Sequence, residues 1–315
     1  MTASRERKIE RVLVASDTPD ALVRGMERAA GVQRMTGAAV VAVLVTYDPV
    51  TEILVERYSP DVSQRVIDDL LRNERQGLDA ALAPLRATMT QLDVEVVFAR
   101  HTASAMCAAA RDHDASLIVK PLARSNRADF LHAPIDWQLM REAPCPVLFT
   151  RAEPWPVPPR VLATVDVSDT AHAHLNEDIL RLGAQVAATV GAELHVATAV
   201  PVLARYLTVY QVAQDYTSAK EQLRETRREA LTALLRSVGI DAAATYVVEG
   251  RPADVIRALA AELAAGLTVV GTAGRTGLKK LLIGNTAEAI VSDLPTDLLT
   301  IRASKPARAG KRAKQ

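Results

Sequence analysis

Val269-Val-Gly271-Thr-Ala-Gly274-Arg-Thr-Gly277-Leu-Lys-Lys-Leu-Leu-Ile-Gly284-Asn285-Thr286-Ala-Glu288 runs from a short β-branched segment, through a glycine loop, into a helical stretch. Glycine permits positive φ and lets a backbone approach a ligand without an intervening Cβ, while a helix N-terminus offers unpaired N–H groups to an anion. Gly271 and Gly274 could thus wrap phosphate from one side as Gly284, Asn285 and Thr286 present amides from the other. Each helix-terminus contact contributes only about 0.3–1 kcal/mol, so several must act together. The rival reading is a loop rich in glycine merely to turn tightly. No GxxxxGK[ST] is present, so no Walker lysine reaches terminal phosphates, and no GxGxxG dinucleotide fingerprint occurs.

Outward from this loop the same alternation continues. Apolar strands are predicted at 160–166, 193–199, 243–248, 267–271 and 297–302, with helices near 172–190, 208–238, 252–264 and 284–292. The β-runs are apolar throughout, as expected for strands covered on both faces in a parallel sheet with right-handed helical crossovers. Five strands and four helices predict a doubly wound α/β fold, flavodoxin-like, with ligands beyond the carboxyl ends of the strands. Asp166, closing the first of these strands, belongs at that crevice or, alternatively, caps the following helix.

The first half repeats the pattern. Arg11-Val-Leu-Val-Ala-Ser-Asp17 answers Arg160-Val-Leu-Ala-Thr-Val-Asp166, and a gapless offset of 151 residues sets Arg100, Ala109, Ala110, Val119, Pro144, Leu148 and Arg151 on identical residues. Between the halves, Glu153-Pro-Trp-Pro-Val-Pro-Pro159 can continue neither a helix nor a central strand. The domains are therefore 9–152 and 160–303, joined by a proline-rich linker at 153–159 and followed by a basic tail at 304–315. The same offset sets Gly271, Gly274 and Gly284 against Lys120, Ala123 and Ala133, and Asn285 and Thr286 against Pro134 and Ile135. Proline has no amide for an anion, so the first domain is expected to have lost phosphate binding.

The 315 residues are 49% apolar, 24% charged and only 3% aromatic, with a net charge of +1, which suits packed globular domains and argues against a nucleic-acid partner. The opening segment lacks a signal-peptide core and the longest apolar run there, Ala38–Val45, is too short to cross a bilayer, so a cytoplasmic protein without a membrane span is expected. Cys107 and Cys145 lack metal or redox spacing, and Cys107 reads as a buried thiol. His172 and His174 read as surface residues and His195 as packed in a strand. Arg224, Arg227 and Arg228 alternate with glutamates as a solvated helix face.

The GxxG, nine residues, then glycine plus a small polar residue resembles the nucleotide-binding signature of the universal stress proteins, with Asn285 standing where the family usually has Ser or Thr. Pro134-Ile-Asp136-Trp137-Gln-Leu-Met-Arg141, Pro144-Cys-Pro146-Val147, Glu153-Pro-Trp155-Pro and Gly284-Asn-Thr-Ala-Glu288 resemble the tandem, E-type members. The resemblance spans roughly residues 9–303. It implies two adenine nucleotide alpha hydrolase-like domains, each a five-stranded parallel sheet flanked by helices, packed like the protomers of a single-domain dimer. A homodimer of the whole chain is left open. It also implies ATP or a related adenine nucleotide, with Mg2+, in the second domain: Asp166 at the nucleoside, Val196 near the adenine, Gly271 near the ribose, and Gly274, Gly284, Asn285 and Thr286 on phosphate. With no general base evident near the loop, little or no catalysis is expected, at most slow ATP hydrolysis. The alternative is a non-nucleotide module that takes an apolar small molecule or a protein partner through the altered first-domain crevice.

Overall fold

The computed structural model describes residues 8–122, 133–200, 202, 213–272, 285–291 and 293–302. In the first half β1 (Arg11–Ser16), β2 (Ala39–Thr46), β3 (Leu92–Phe98), β4 (Leu117–Pro121) and β5 (Val147–Thr150) alternate with α1 (Pro19–Thr36), α2 (Pro49–Arg57), α3 (Pro60–Arg86), α4 (Thr102–Asp112) and α5 (Ala133–Glu142). The second half contributes β6 (Arg160–Thr164), β7 (Glu193–Val200), β8 (Ala244–Glu249), β9 (Leu267–Thr272) and β10 (Asp297–Arg302). Its helices are α6 (Ala173–Val190), α7 (Ala213–Val238), α8 (Pro252–Glu262) and α9 (Asn285–Val291), with a 3-10 turn at Thr170–His172 leading into α6.

All strands join one sheet in the order β3-β2-β1-β4-β5-β10-β9-β6-β7-β8. Pairing is parallel within each half, and β5 meets β10 antiparallel, with Leu148 opposite Leu299 at the centre of the junction. Each half thus has the order 3-2-1-4-5, which is that of the first five strands of a dinucleotide-binding sheet and differs from the 2-1-3-4-5 of flavodoxin. The order reverses between β1 and β4, and again between β6 and β9. One core, on the face covered by α1, α3, α6 and α7, includes Leu22, Met26, Leu78, Leu180 and Leu231. The other, under α4, α5, α8 and α9, includes Met106, Leu139, Phe149, Ile256 and Ile290. Cys107 lies in the second core, where burial pushes its thiol up to about 11, so it is inert as expected.

The repeat is not gapless. α4 and α8 have equal length and are followed by left-handed residues at Asp114 and Ala264, φ 48° and 46°, which sets Thr102 on Pro252 at an offset of 150. Leu117 and Val119 point into the α1 core as Leu267 and Val269 point into the α6 core. An offset of 151 would turn those strands inside out, because a one-residue slip exchanges the faces of a strand. It holds only from α5 onward, where the buried Leu139, Met140 and Ala143 answer Ile290, Val291 and Leu294, so the identities at Arg100, Ala109, Ala110 and Val119 are coincidences of an alanine-rich chain. The twin of Gly271 is Pro121, and Lys120 answers to Val270.

This correction exposes a packing exchange. α1 and α6 are both 18 residues long and end on left-handed glycines, Gly37 and Gly191, so Gly25 and Ile179 hold the same helical position. In the first half the bulk is on the strand: a Cβ at Gly25 would lie 2.5 Å from Pro121 Cγ. In the second half it is on the helix: a Cβ at Gly271 would lie 2.7 Å from Leu175 Cδ2 and 2.9 Å from Ile179 Cδ1.

The linker is tied down by a buried acid. Asp297, 2% exposed at the start of β10, accepts the Trp155 indole N–H at 2.8 Å and the Arg151 amide N–H at 2.7 Å. Arg28 of α1 reaches the same carboxylate at 2.9 Å and lies over the Trp155 ring, 5.3 Å from its centroid. Trp155 in turn covers Gly266, where any Cβ would come within 2.9 Å of the indole. Burial raises the Asp297 pKa, and Arg28, the Arg151 amide and Trp155 offset this only in part.

Asp297→Ala should destabilise the chain by about 3 kcal/mol in chemical denaturation, because Arg28 and the indole N–H lose their buried acceptor. A raised folded pKa means that folding takes up a proton between that value and the ordinary 3.8, so the Asp297 contribution to stability grows as pH falls through this window. Asp297→Asn cannot titrate. The stability of the native chain relative to this variant should therefore rise on acidification towards pH 3.8, a trend that paired denaturation curves will measure.

Candidate functional site

The strand-order reversal in the second half places the carboxyl ends of β6 and β9 side by side. Thr164, the last residue of β6, pairs with Ala197 on β7 and with Val270 on β9, and Asp166 follows two residues beyond the strand end. The β6 turn is built around Asn176 of α6, which is 4% exposed. Its side-chain carbonyl accepts the Asp166 N–H at 3.1 Å and its amide donates to the Asp166 carbonyl at 2.7 Å. These two bonds fix the Asp166 backbone. Its carboxylate remains 55% exposed, accepts the Ser168 N–H at 2.9 Å and faces His172 Nδ1 at 3.5 Å.

The capping alternative for Asp166 is corrected: Asp169 caps the 3-10 turn by accepting the Ala171 N–H at 2.8 Å, and α6 begins beyond it. Val196, expected near the adenine, is 0% exposed in the middle of β7, where it pairs with Ala163. Gly271 closes β9 with its missing side chain turned towards α6, so close packing by itself requires glycine there. Thr286 is half-buried in the first turn of α9, and Asn285 is the first residue of that helix. Gly274 and Gly284 lie outside the described residues.

Two residues of this corner carried no functional signal in the sequence. Asn176 looks like any polar residue within a helix. Arg227, expected on a solvated face, is half-buried and donates to the Val167 carbonyl at 3.0 Å, bracing the turn that carries Asp166. Its neighbours follow expectation, with Arg224 paired to Glu221 and Arg228 to Glu225. His174 is exposed, whereas His195 is buried and bonded to the Tyr246 hydroxyl at 3.1 Å. Among the described residues no group of three or more His, Cys, Asp or Glu could hold a metal ion.

The matching corner of the first half is filled. Lys120, which replaces the apolar Val270, has a side chain only 4% exposed, with Nζ 3.8 Å from Asp17, the twin of Asp166, and 3.9 Å from Asp136 of α5. Its ammonium also donates to the Pro121 carbonyl at 3.0 Å. Asp17 is 18% exposed against 55% for Asp166. The aspartate is thus engaged by a lysine of its own domain. The described part of this corner is charged.

These features define a tandem doubly wound α/β protein in which the switch-point aspartate is exposed in the second half and paired with a buried lysine in the first. The chain belongs to the universal stress protein family, whose sequence pattern matches residues 8–151 and again 159–302. Universal stress protein E homolog of Haemophilus influenzae is 29% identical over 292 residues, covering 90% of this chain and 93% of that protein. Universal stress protein E of Salmonella typhi is 34% identical over 197 residues, 61% of this chain and 62% of its own length. Among solved structures, a functionally unknown protein of Pseudomonas aeruginosa PAO1 aligns over 95% of this chain and 94% of its own, with a TM-score of 0.65 and 26% identity. The tandem, E-type resemblance read from the sequence is borne out. Among the described residues no helix is long and apolar enough to cross a membrane.

Gly271→Ala should cost about 1–2 kcal/mol of stability in urea denaturation even without ligand, because the added methyl must displace Leu175 and Ile179. An unchanged denaturation midpoint would contradict this packing account.

Proposed function

We infer that the chain is a cytoplasmic stress-response protein that binds ATP or a related adenine nucleotide in its second domain, residues 160–303, and not in its first, residues 9–152. The observation that carries this reading is the contrast between the two switch points. In one, Asp166 stands exposed and braced where β9 enters the glycine loop; in the other, the equivalent Asp17 is engaged by Lys120.

The residues fit a nucleotide in kind. Asp166 offers a carboxylate for a nucleoside hydroxyl or amine, and Ala199 is small enough for a ring to lie against β7. Gly274, Gly284, Asn285 and Thr286 supply the amides for phosphate, and Gly271 aims the loop. Mg2+ would arrive on the phosphates, since this ion usually binds through phosphate oxygens and water with few protein ligands. Among the described residues Asp166 is the exposed carboxylate that follows the end of β6, and we assign it to binding. Hydrolysis is therefore slow or absent, and nucleotide acts as a bound signal.

Isothermal titration of the purified chain with Mg·ATP should show one saturable site per chain below millimolar ligand. The double variant Gly274→Ala, Gly284→Ala should weaken it at least about tenfold, equivalent to 1.4 kcal/mol, while keeping the native melting temperature. No heat at millimolar ATP, or equal affinity in the variant, would sink the proposal; turnover above about 1 s⁻¹, within the usual enzyme range, would make the protein an enzyme instead.

A further inference from the structure

A cavity of about 510 Å³ lies between α1 and α6 on the seam of the two halves, away from both switch points. One buried leucine from each of the four central strands lines it: Leu117, Leu148, Leu267 and Leu299. The two helical walls differ in chemistry. α6 presents Leu182, Gln185, Val186 and Thr189, none of them charged, whereas α1 presents Arg24, Glu27, Arg28 and Arg34 around Gly31 and Val32. Trp155 lies at the mouth with Arg28 over its ring.

The charges on the α1 side are not equivalent. Arg28 is held by Asp297, and Glu27, Arg34 and the linker's Glu153 are exposed and hydrated. Arg24 is half-buried and has no ion-pair partner among the described residues. A guanidinium without an ion-pair partner can grip a carboxylate through two parallel hydrogen bonds. A largely apolar cavity at a domain seam, with a volume between about 300 and 1,000 Å³ and a few polar groups at its edge, is the usual form of a small-molecule site.

We propose that this seam cavity binds an amphipathic monocarboxylate, its apolar chain over the four leucines and its head group on Arg24. The site is distinct from the nucleotide crevice and does not depend on it. A ligand here touches both halves and the linker at once, so its binding stabilises the junction that fuses the two sheets.

Dodecanoate, held below its micellar concentration, is the probe and 1-dodecanol the neutral control. Trp155 fluorescence in a Trp137→Phe background reports occupancy, with calorimetry as the second readout. Dodecanoate should bind saturably at one site per chain. Arg24→Met should weaken it about tenfold, as loss of a charged hydrogen bond implies, and leave dodecanol unchanged. Gly31→Leu should abolish both: its new side chain enters the cavity from a helix position whose nearest neighbour is Arg34 Nη2 at 3.8 Å, so the fold is retained. No saturable dodecanoate binding, full binding in Gly31→Leu, or equal loss of both probes in Arg24→Met would overturn the proposal. So would a Trp155 signal that follows protein concentration without ligand, since a second copy would then cover the cavity.

Discussion

The antiparallel pairing of β5 with β10 is the constraint on which this molecule depends. Each half on its own would leave a β5 or β10 edge with a row of unpaired backbone groups, a template for association with other chains. Pairing the two edges within one polypeptide removes that hazard and makes one ten-stranded sheet. The buried Asp297 secures the arrangement by drawing α1 of the first half, the Trp155 linker and β10 of the second half onto one carboxylate. Removing that charge from water is costly, and three donors in place recover only part of the cost.

Once the halves are fused, their shared backbone can carry different side chains. Bulk has been exchanged across one helix–strand contact, Gly25 against Pro121 in the first half and Ile179 against Gly271 in the second. Interiors are close-packed, so neither member of such a pair can change alone. At the neighbouring position the first half carries Lys120 and the second Val270. A single buried lysine draws Asp17 and Asp136 into an internal ion cluster, and the fold tolerates it because the ammonium is paired. The asymmetry between the halves is therefore a matter of a few residues at the strand ends, with the same chain path beneath.

Most of the fold was legible because its signals are local. Apolar five-to-eight-residue runs gave β7, β8, β9 and β10 to within a residue at either end, and no strand or helix runs through the proline cluster between β5 and β6. What local signals do not encode is order and register. The 3-2-1-4-5 arrangement arises from crossovers that sequence periodicity does not specify. The one-residue slip ahead of β5 was hidden because alanine-rich helices match themselves at several offsets, and it moved the twin of Gly271 from Lys120 to Pro121.

The candidate site was legible only in part. Asp166 could be placed at a strand end from its position after an apolar run. Its bracing by Asn176 and Arg227 could not, since both contacts join residues that are distant in sequence through backbone carbonyls and amides. The burial of Val196 in β7 was not legible either, since a dipeptide match fixes a strand but not the height of a residue along it. Photolabelling with 8-azido-ATP, followed by peptide mapping, tests most directly whether one half alone takes nucleotide. The account predicts ATP-protectable label confined to peptides from residues 160–302; comparable protectable label in peptides from residues 8–151 would contradict it.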